Sequence, residues 1–304
     1  VSRVQERYVE TEEQLQELCT LVESSRWLAL DTEFMREKTY YPQFCLLQLC
    51  NGEIAACVDP LRIDSLEPLL ALFRNPAITK VFHAGRQDLE IFHHLWQCLP
   101  QPLFDTQLAA TILGLGDQLG YAGLVQQLLG HDLDKGHTRT DWAQRPLERA
   151  QLRYALDDVI YLGEIYPRLL DQLQRLGRES WLEEDFRLLA DPATYTPPDT
   201  QVWQRVKGRQ RLKGVELAVL QTLAQWREIQ ARQANRPRRW ILNDDVLLEL
   251  ARRRPDSLQQ LERIRGLESA TVKRQGTRLL EIVAQAVRLP KSQWPKEKRP
   301  PRLT

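Results

Sequence analysis

Asp31-Thr32-Glu33 closes a short run, Trp27 to Phe34 (WLALDTEF), that is apolar at first and acidic at its end. Its brevity and flanks favour a buried strand over a helix. Residues i and i+2 of a strand share a face, so both carboxylates can reach one site. Asp88 stands near the start of Gln87 to Trp96 (QDLEIFHHLW), which reads as a helix following a strand over Ile78 to His83. Tyr154 and Asp158 lie four apart in a third segment, which makes them neighbours on one helix face. Carboxylates that converge from separate segments repel one another unless cations sit between them. Hard oxygen ligands of this kind favour Mg²⁺ or Mn²⁺. Two such ions about 3.5–4 Å apart stabilise the attacking and leaving oxygens of an in-line phosphoryl displacement. Taken singly, each piece has a blander reading. A D-x-E at a strand end is more often a surface pair, Asp88 suits a helix start on macrodipole grounds, and Tyr154 suits a core. In this order, together, they are far more specific.

These groups need a frame, and the sequence supplies one. Phe44 to Cys50 and Ile54 to Val58 read as strands, with Asn51-Gly52 between them as a hairpin signal. With the first strand they would form an antiparallel meander. The period then changes. Ser65 to Phe73, Gln87 to Trp96, Thr106 to Leu113, Leu119 to Leu129 and Arg145 to Leu176 read as helices, the last interrupted by Pro146 and Pro167. Strands at Ile78 to His83 and Leu103-Phe104 alternate with them. The fold class expected is α/β, a mixed central sheet flanked by helices. Three prolines between Leu189 and Thr200 mark a linker, drawn at 191–207, between a first domain over 1–190 and an all-α domain over 208–290. The helices expected there are Val215 to Gln233, Asp244 to Arg253, Ser257 to Ile264 and Ser269 to Arg288. Residues 291–304, rich in Pro, Lys and Arg, read as a disordered basic tail.

The net charge of +1 conceals an asymmetry: from Thr196 on there are 24 Lys and Arg against 11 Asp and Glu, and before it 18 against 30. An acidic half suits metal cations and a basic half suits a phosphate backbone. The five cysteines form no C-x-x-C pair and have no clustered histidines, which argues against structural zinc and a disulfide framework. No apolar run reaches the roughly 18 residues of a membrane span. Val1 to Thr11 lacks the apolar stretch of a signal peptide, so a cytoplasmic location is expected.

LALDTEF, VFHAGRQDLEIF and YALDDVIYL closely resemble the three exonuclease motifs of the DEDD superfamily, which shares a ribonuclease H-like fold. The resemblance implies two divalent ions held by Asp31, Glu33, Asp88 and Asp158, with Asp31 bridging both. Arg153 stands where one branch of the superfamily places a His, whereas Tyr154 matches the tyrosine branch, whose hydroxyl orients the attacking water. Spacing selects Asp158 over its neighbour Asp157.

Lys135 to Leu147 (KGHTRTDWAQRPL) is similar to the run before the third motif in the ribonuclease D family, which makes Arg139 and Arg145 candidates to hold RNA phosphates. Phe34, Met35 and Gln87 adjoin the motifs and are candidates to touch the terminal base or ribose. His83 and His137 could also approach the site, although a histidine in a strand, as His83 is, is more often a satisfied core residue. Residues 208 to about 290 resemble the helicase-and-RNase-D C-terminal (HRDC) module, and Arg236, Arg238, Arg239 and Trp240 place an aromatic beside three cations, a group suited to stacking on bases and binding phosphates. The plainer and favoured reading is that Trp240 anchors its turn in the helical core. No second copy of that module, which familiar bacterial members carry, is visible after Leu289.

The resemblance thus implies a 3′→5′ exoribonuclease that releases nucleoside 5′-monophosphates from RNA with a free 3′ end, such as precursor tRNA; a monomer is the default expectation. A DNA exonuclease of the same superfamily is the alternative. A nucleic-acid-binding protein with a degenerate nuclease domain is disfavoured because all four carboxylates and the tyrosine are in register.

Overall fold

The computed structural model describes residues 4–133, 136 and 140–296. They form two compact units, one from residues up to 36 and 42–196, the other from 37–41 and those from 197 onward.

The first unit begins with β1 (Gln5–Val9) and α1 (Glu12–Val22), whose Thr11 and Gln14 form a reciprocal capping box. Then come β2 (Trp27–Met35), β3 (Gln43–Cys50) and β4 (Ile54–Val58). Asn51 Oδ1 accepts from the Glu53 and Ile54 amides at the hairpin, and Gly52 takes φ +93° there, where a side chain would be strained. The chain continues through α2 (Glu67–Arg74), β5 (Thr79–Phe82), α3 (Arg86–Trp96), β6 (Leu103–Asp105), α4 (Thr106–Ile112), α5 (Tyr121–Leu129), α6 (Arg149–Leu176) and α7 (Glu183–Leu189).

The six strands are ordered β1-β4-β3-β2-β5-β6. β2, β3 and β4 pair antiparallel as the expected meander, while β1 joins β4, and β5 joins β2 and β6, in parallel. Side-chain alternation along β2 divides the core. Leu28 and Leu30 pack with Leu15, Leu18, Phe73 and Phe92 on one face, and Ala29 packs with Val81, Leu124, Val159 and Leu162 on the other. Asp31 and Glu33 follow Ala29 in this alternation, and Thr32 follows Leu30.

The second unit is helical: α8 (Val215–Gln233), α9 (Arg238–Ile241), α10 (Asp244–Arg253), α11 (Leu258–Leu261) and α12 (Ser269–Val287). Leu220, Leu223, Leu247, Leu250, Leu279 and Ile282 meet in its core.

Several boundaries differ from the sequence expectation. β1, α1 and α7 were not anticipated, and α6 begins after Pro146 and runs unbroken through Pro167. The segment expected as a linker, 191–207, is folded: it contains 3₁₀ turns at Pro192–Thr194 and Asp199–Arg205. Val202, Trp203 and Val206 from this segment are buried in the helical core, and Asp199 pairs with Arg232 at 2.5 Å. Burying a tryptophan outweighs the local signal of the prolines. Of the expected tail, Lys291–Gln293 is a further 3₁₀ turn, Trp294 Nε1 donates to the Leu289 carbonyl at 3.1 Å, and 297–304 lie outside the described residues. All five cysteines are buried and unpaired. Among the described residues no helix is long and apolar enough to cross a membrane.

Candidate active site

β2 delivers Asp31 and Glu33 to one face of the sheet, with an irregularity in the β2–β3 register immediately after Glu33. α6 packs on that face and presents Asp158 one turn after Tyr154. One carboxylate oxygen from each of Asp31, Glu33 and Asp158 lies within 4.8 Å of the others. Among the described residues this is the one cluster of His, Cys, Asp and Glu spaced to hold a metal ion.

Asp88 reaches the neighbourhood differently. It sits buried in the first turn of α3 and accepts a hydrogen bond from the Thr32 hydroxyl, on the opposite face of β2. It is outside the three-carboxylate cluster, yet its charge still acts on Asp31 and Glu33. Asp157 turns instead to Arg153, which also pairs with Glu6 at 2.5 Å.

Electrostatics register the crowding. Burial first, then repulsion from Asp88, Asp158 and Glu33, holds the Asp31 carboxyl well above the usual carboxylate range. Burial, followed by Asp158 and Asp88, pushes Glu33 up to about 9. Asp158 rises to about 7 through burial and the Asp157 charge. Asp88 also rises to about 7 through burial, against the Thr32 hydrogen bond that favours its charge. Acids arranged in this way must hold protons or take up cations. The donors are all hard oxygens, as Mg²⁺ and Mn²⁺ require, so the residues fit such ions.

The cluster opens into a cleft of about 460 Å³ lined by Asp31, His83, Tyr121, Leu133, Tyr154 and Asp158, among others. Tyr154 packs near the buried Trp142, ring centroids 6.2 Å apart. Tyr121 went unnoticed in the sequence. Its hydroxyl donates to the backbone carbonyls of Asp158 at 2.6 Å and Asp157 at 3.1 Å, and so ties α5 to the α6 turn that carries the carboxylate. Burial keeps this phenol protonated, with its pKa well above the ordinary value. Nothing in the local pattern marks it, because its partners are 36 and 37 residues away.

The residues expected to touch substrate fare unevenly. Phe34 and Met35 are half-buried at the end of β2, and Gln87 is exposed in the first turn of α3. Arg139 and His137 lie outside the described residues. Arg145 is not available to a phosphate. Its guanidinium binds both carboxylate oxygens of Asp59 and the carbonyls of Cys45, Trp142 and Gln144, so it anchors the chain ahead of α6. In the helical unit, Arg238 pairs with Glu228 at 2.5 Å and lies 4.8 Å over the Tyr40 ring. Arg239 is exposed, and Trp240 is 53% exposed, so its indole does not anchor the turn in the core.

Comparison with known proteins agrees with this geometry. A 3′-5′ exonuclease family matches residues 7–174 and an HRDC domain matches 216–283. The chain is 43% identical over 298 residues to the ribonuclease D of Acidiphilium cryptum, covering 96% of this chain and 75% of that one. The crystal structure of Escherichia coli RNase D, described as an exoribonuclease involved in structured RNA processing, superposes with a TM-score of 0.86 at 36% identity, over 97% of this chain and 78% of that one. NrnC of Brucella melitensis, solved with bound Mg²⁺, gives a TM-score of 0.52 at 25% identity over 69% of this chain and 96% of its own. With the exonuclease domain, the HRDC domain and similarity over nearly all of this chain in agreement, the chain belongs to the ribonuclease D family and is a 3′→5′ exoribonuclease.

Proposed function

We propose that the chain trims precursor tRNA tails from the 3′ end, as a cytoplasmic monomer, with two Mg²⁺ ions held by Asp31, Glu33, Asp88 and Asp158. The observation that carries this reading is the approach of the Asp31, Glu33 and Asp158 oxygens to within 4.8 Å of one another. Bound there, the ions would neutralise phosphate charge and lower the pKa of water to give a nucleophile near neutral pH. Mg²⁺ bound to NrnC supports the choice of ion. The description of Escherichia coli RNase D as acting in structured RNA processing supports the choice of substrate.

The side chains divide the work. The four carboxylates neutralise the cations and fix where the scissile phosphate rests. Tyr154 holds the attacking water through its hydroxyl, orienting it for attack. Tyr121 keeps the Asp158 turn in place. Attack on phosphorus opposite the 3′-oxygen breaks the P–O3′ bond, leaves a new 3′-hydroxyl on the RNA and releases a nucleoside 5′-monophosphate. Gln87, Phe34 and Met35 are the contacts assigned to the terminal nucleotide. On the helical unit, exposed Arg236, Arg239 and Trp240 offer charge and a stacking face to the body of the RNA.

The test compares a tRNA transcript carrying a 3′ extension with the same extension as a free strand, each with Mg²⁺ and with Mn²⁺. Stepwise loss of the extension, with the tRNA body spared, is the expected result. Rapid decay of the free strand beside an untouched transcript would remove the tRNA assignment.

A further inference from the structure

His83 follows β5 by one residue and stands in the wall of the cleft that Asp31, Tyr154 and Asp158 also line. Its neighbours decide which ring nitrogen carries the proton. Thr106 directs its one hydroxyl proton to the Phe82 carbonyl at 3.1 Å, which leaves its oxygen to accept from His83 Nδ1 at 2.9 Å. A neutral imidazole has one N–H and one lone pair, so with Nδ1 as donor, Nε2 is the acceptor. Burial lowers the ring's pKa, outweighing the Asp105 charge and the Leu119 carbonyl nearby, so the neutral form prevails.

Among the described residues that acceptor is idle. Nε2 is buried among them without a well-formed hydrogen bond; the Leu119 carbonyl lies close enough to the ring to favour its charged form, but it already accepts from Gln107 Nε2 at 3.1 Å. The Tyr121 ring, 5.4 Å away centroid to centroid, flanks the imidazole. Apart from the carboxylates, the two phenols and His83, the described residues of the cleft wall are glycine, alanine and leucine. A buried acceptor left unpaired is unfavourable, and a ligand hydroxyl would complete it.

We propose that His83 Nε2 accepts a hydrogen bond from the 2′-hydroxyl of the 3′-terminal nucleotide, which makes His83 a specificity-determining residue for ribose. The inference rests on the reading of this cleft as the site of 3′-end hydrolysis. An exonuclease meets every base in turn, so a fixed acceptor needs a donor that every nucleotide carries. Uracil has no amino group, whereas the sugar is constant. Of the sugar hydroxyls, the 2′ is the one that separates RNA from DNA. A deoxyribose in the same place leaves Nε2 unpaired, and an unpaired buried polar group is how a site rejects the analogue that lacks a hydroxyl.

The experiment measures the rate of the first cleavage, at saturating enzyme with Mg²⁺, on three 5′-labelled RNA strands. They differ only in the last nucleotide: ribose, 2′-deoxyribose or 3′-deoxyribose. The wild type is expected to slow about three- to tenfold on the 2′-deoxy end, the range for one hydrogen bond. His83→Phe should trim the ribose and 2′-deoxy ends at equal rates, and His83→Gln, whose amide oxygen can reach the Nε2 position, should regain part of the difference. Equal wild-type rates on the ribose and 2′-deoxy ends would overturn the proposal whatever the variants do. So would a ratio unchanged in His83→Phe, or a wild-type loss confined to the 3′-deoxy end. No cleavage of the all-ribose strand by wild type would instead defeat the reading of the cleft itself, so the two failures are distinguishable.

Discussion

Arg145 Nε and a terminal guanidinium nitrogen close on the two carboxylate oxygens of Asp59 at 2.6 and 2.7 Å, with the Asp59 side chain fully buried. Tyr8 donates to the same carboxylate at 2.5 Å. Burial works against the charge on Asp59, but the Arg145 and Tyr8 hydrogen bonds prevail and hold its pKa below the ordinary range. The same guanidinium binds the Trp142 carbonyl at 2.7 Å, and Trp142 backs Tyr154. An ion pair at the sheet thus steadies the approach to α6, which carries Tyr154 and Asp158.

Breaking the pair from one side leaves a buried charge without its partner. Asp59→Asn is expected to lower stability by about 3–5 kcal/mol, read by urea unfolding. RNA affinity of the folded fraction should be unchanged. A stable Asp59→Asn protein with weakened RNA binding would return Arg145 to phosphate contact.

The raised carboxyl values set a pH dependence for the metal-free protein. Asp88 and Asp158 near 7 and Glu33 near 9 lie above the unfolded values of roughly 4. The folded state therefore binds more protons than the unfolded state between about pH 4 and 9, and stability falls as pH rises through that window. Thermal melting in EDTA should show this decline. Saturating Mg²⁺ should flatten it, because an ion that binds only the folded state stabilises it. A melting temperature that climbs with pH in EDTA would contradict the crowding.

Asp31→Asn removes a proposed metal ligand and a repelling charge together. Activity should fall at least about a hundredfold, while the metal-free variant should melt no lower than wild type at pH 8. A variant that is inactive and also strongly destabilised would make Asp31 a structural residue.

Tyr121→Phe deletes the donor to the Asp157 and Asp158 carbonyls and keeps the ring. Both carbonyls keep their partners within α6, so a stability loss of only about 0.5–1.5 kcal/mol is expected from the lost hydrogen bonds. The drop should fall on kcat with KM little changed, since the Asp158 turn shifts rather than the substrate contacts. An unaltered kcat beside the stability loss would confine Tyr121 to the core.

What could be read from the sequence was short-range. The i, i+2 spacing of Asp31 and Glu33 and the i, i+4 spacing of Tyr154 and Asp158 translate directly into shared faces, and the structure brings three of these carboxylates together. Helices α8, α10 and α12 announced themselves by periodicity between clear turn signals. The Tyr121 hydroxyl and the Arg145 guanidinium behaved otherwise, because each depends on partners 36 to 100 residues away that no local pattern names. A basic residue before a helix looks the same whether it faces RNA or a buried aspartate. β1 escaped because its sequence, QERYV, is polar along most of its length, as an edge strand allows. The prolines around 192–198 suggested an open linker, and only the burial of Trp203 shows that the segment is pulled into a core.

The most direct test of the central claim is the degradation of a 5′-labelled RNA beside a sequence-matched DNA, with Mg²⁺ and with EDTA. Metal-dependent trimming by this cleft predicts a ladder that shortens one nucleotide at a time from the RNA's 3′ end, faster than from DNA and absent in EDTA. Undiminished cleavage in EDTA, or fragments released from a circular RNA that has no 3′ end, would contradict it.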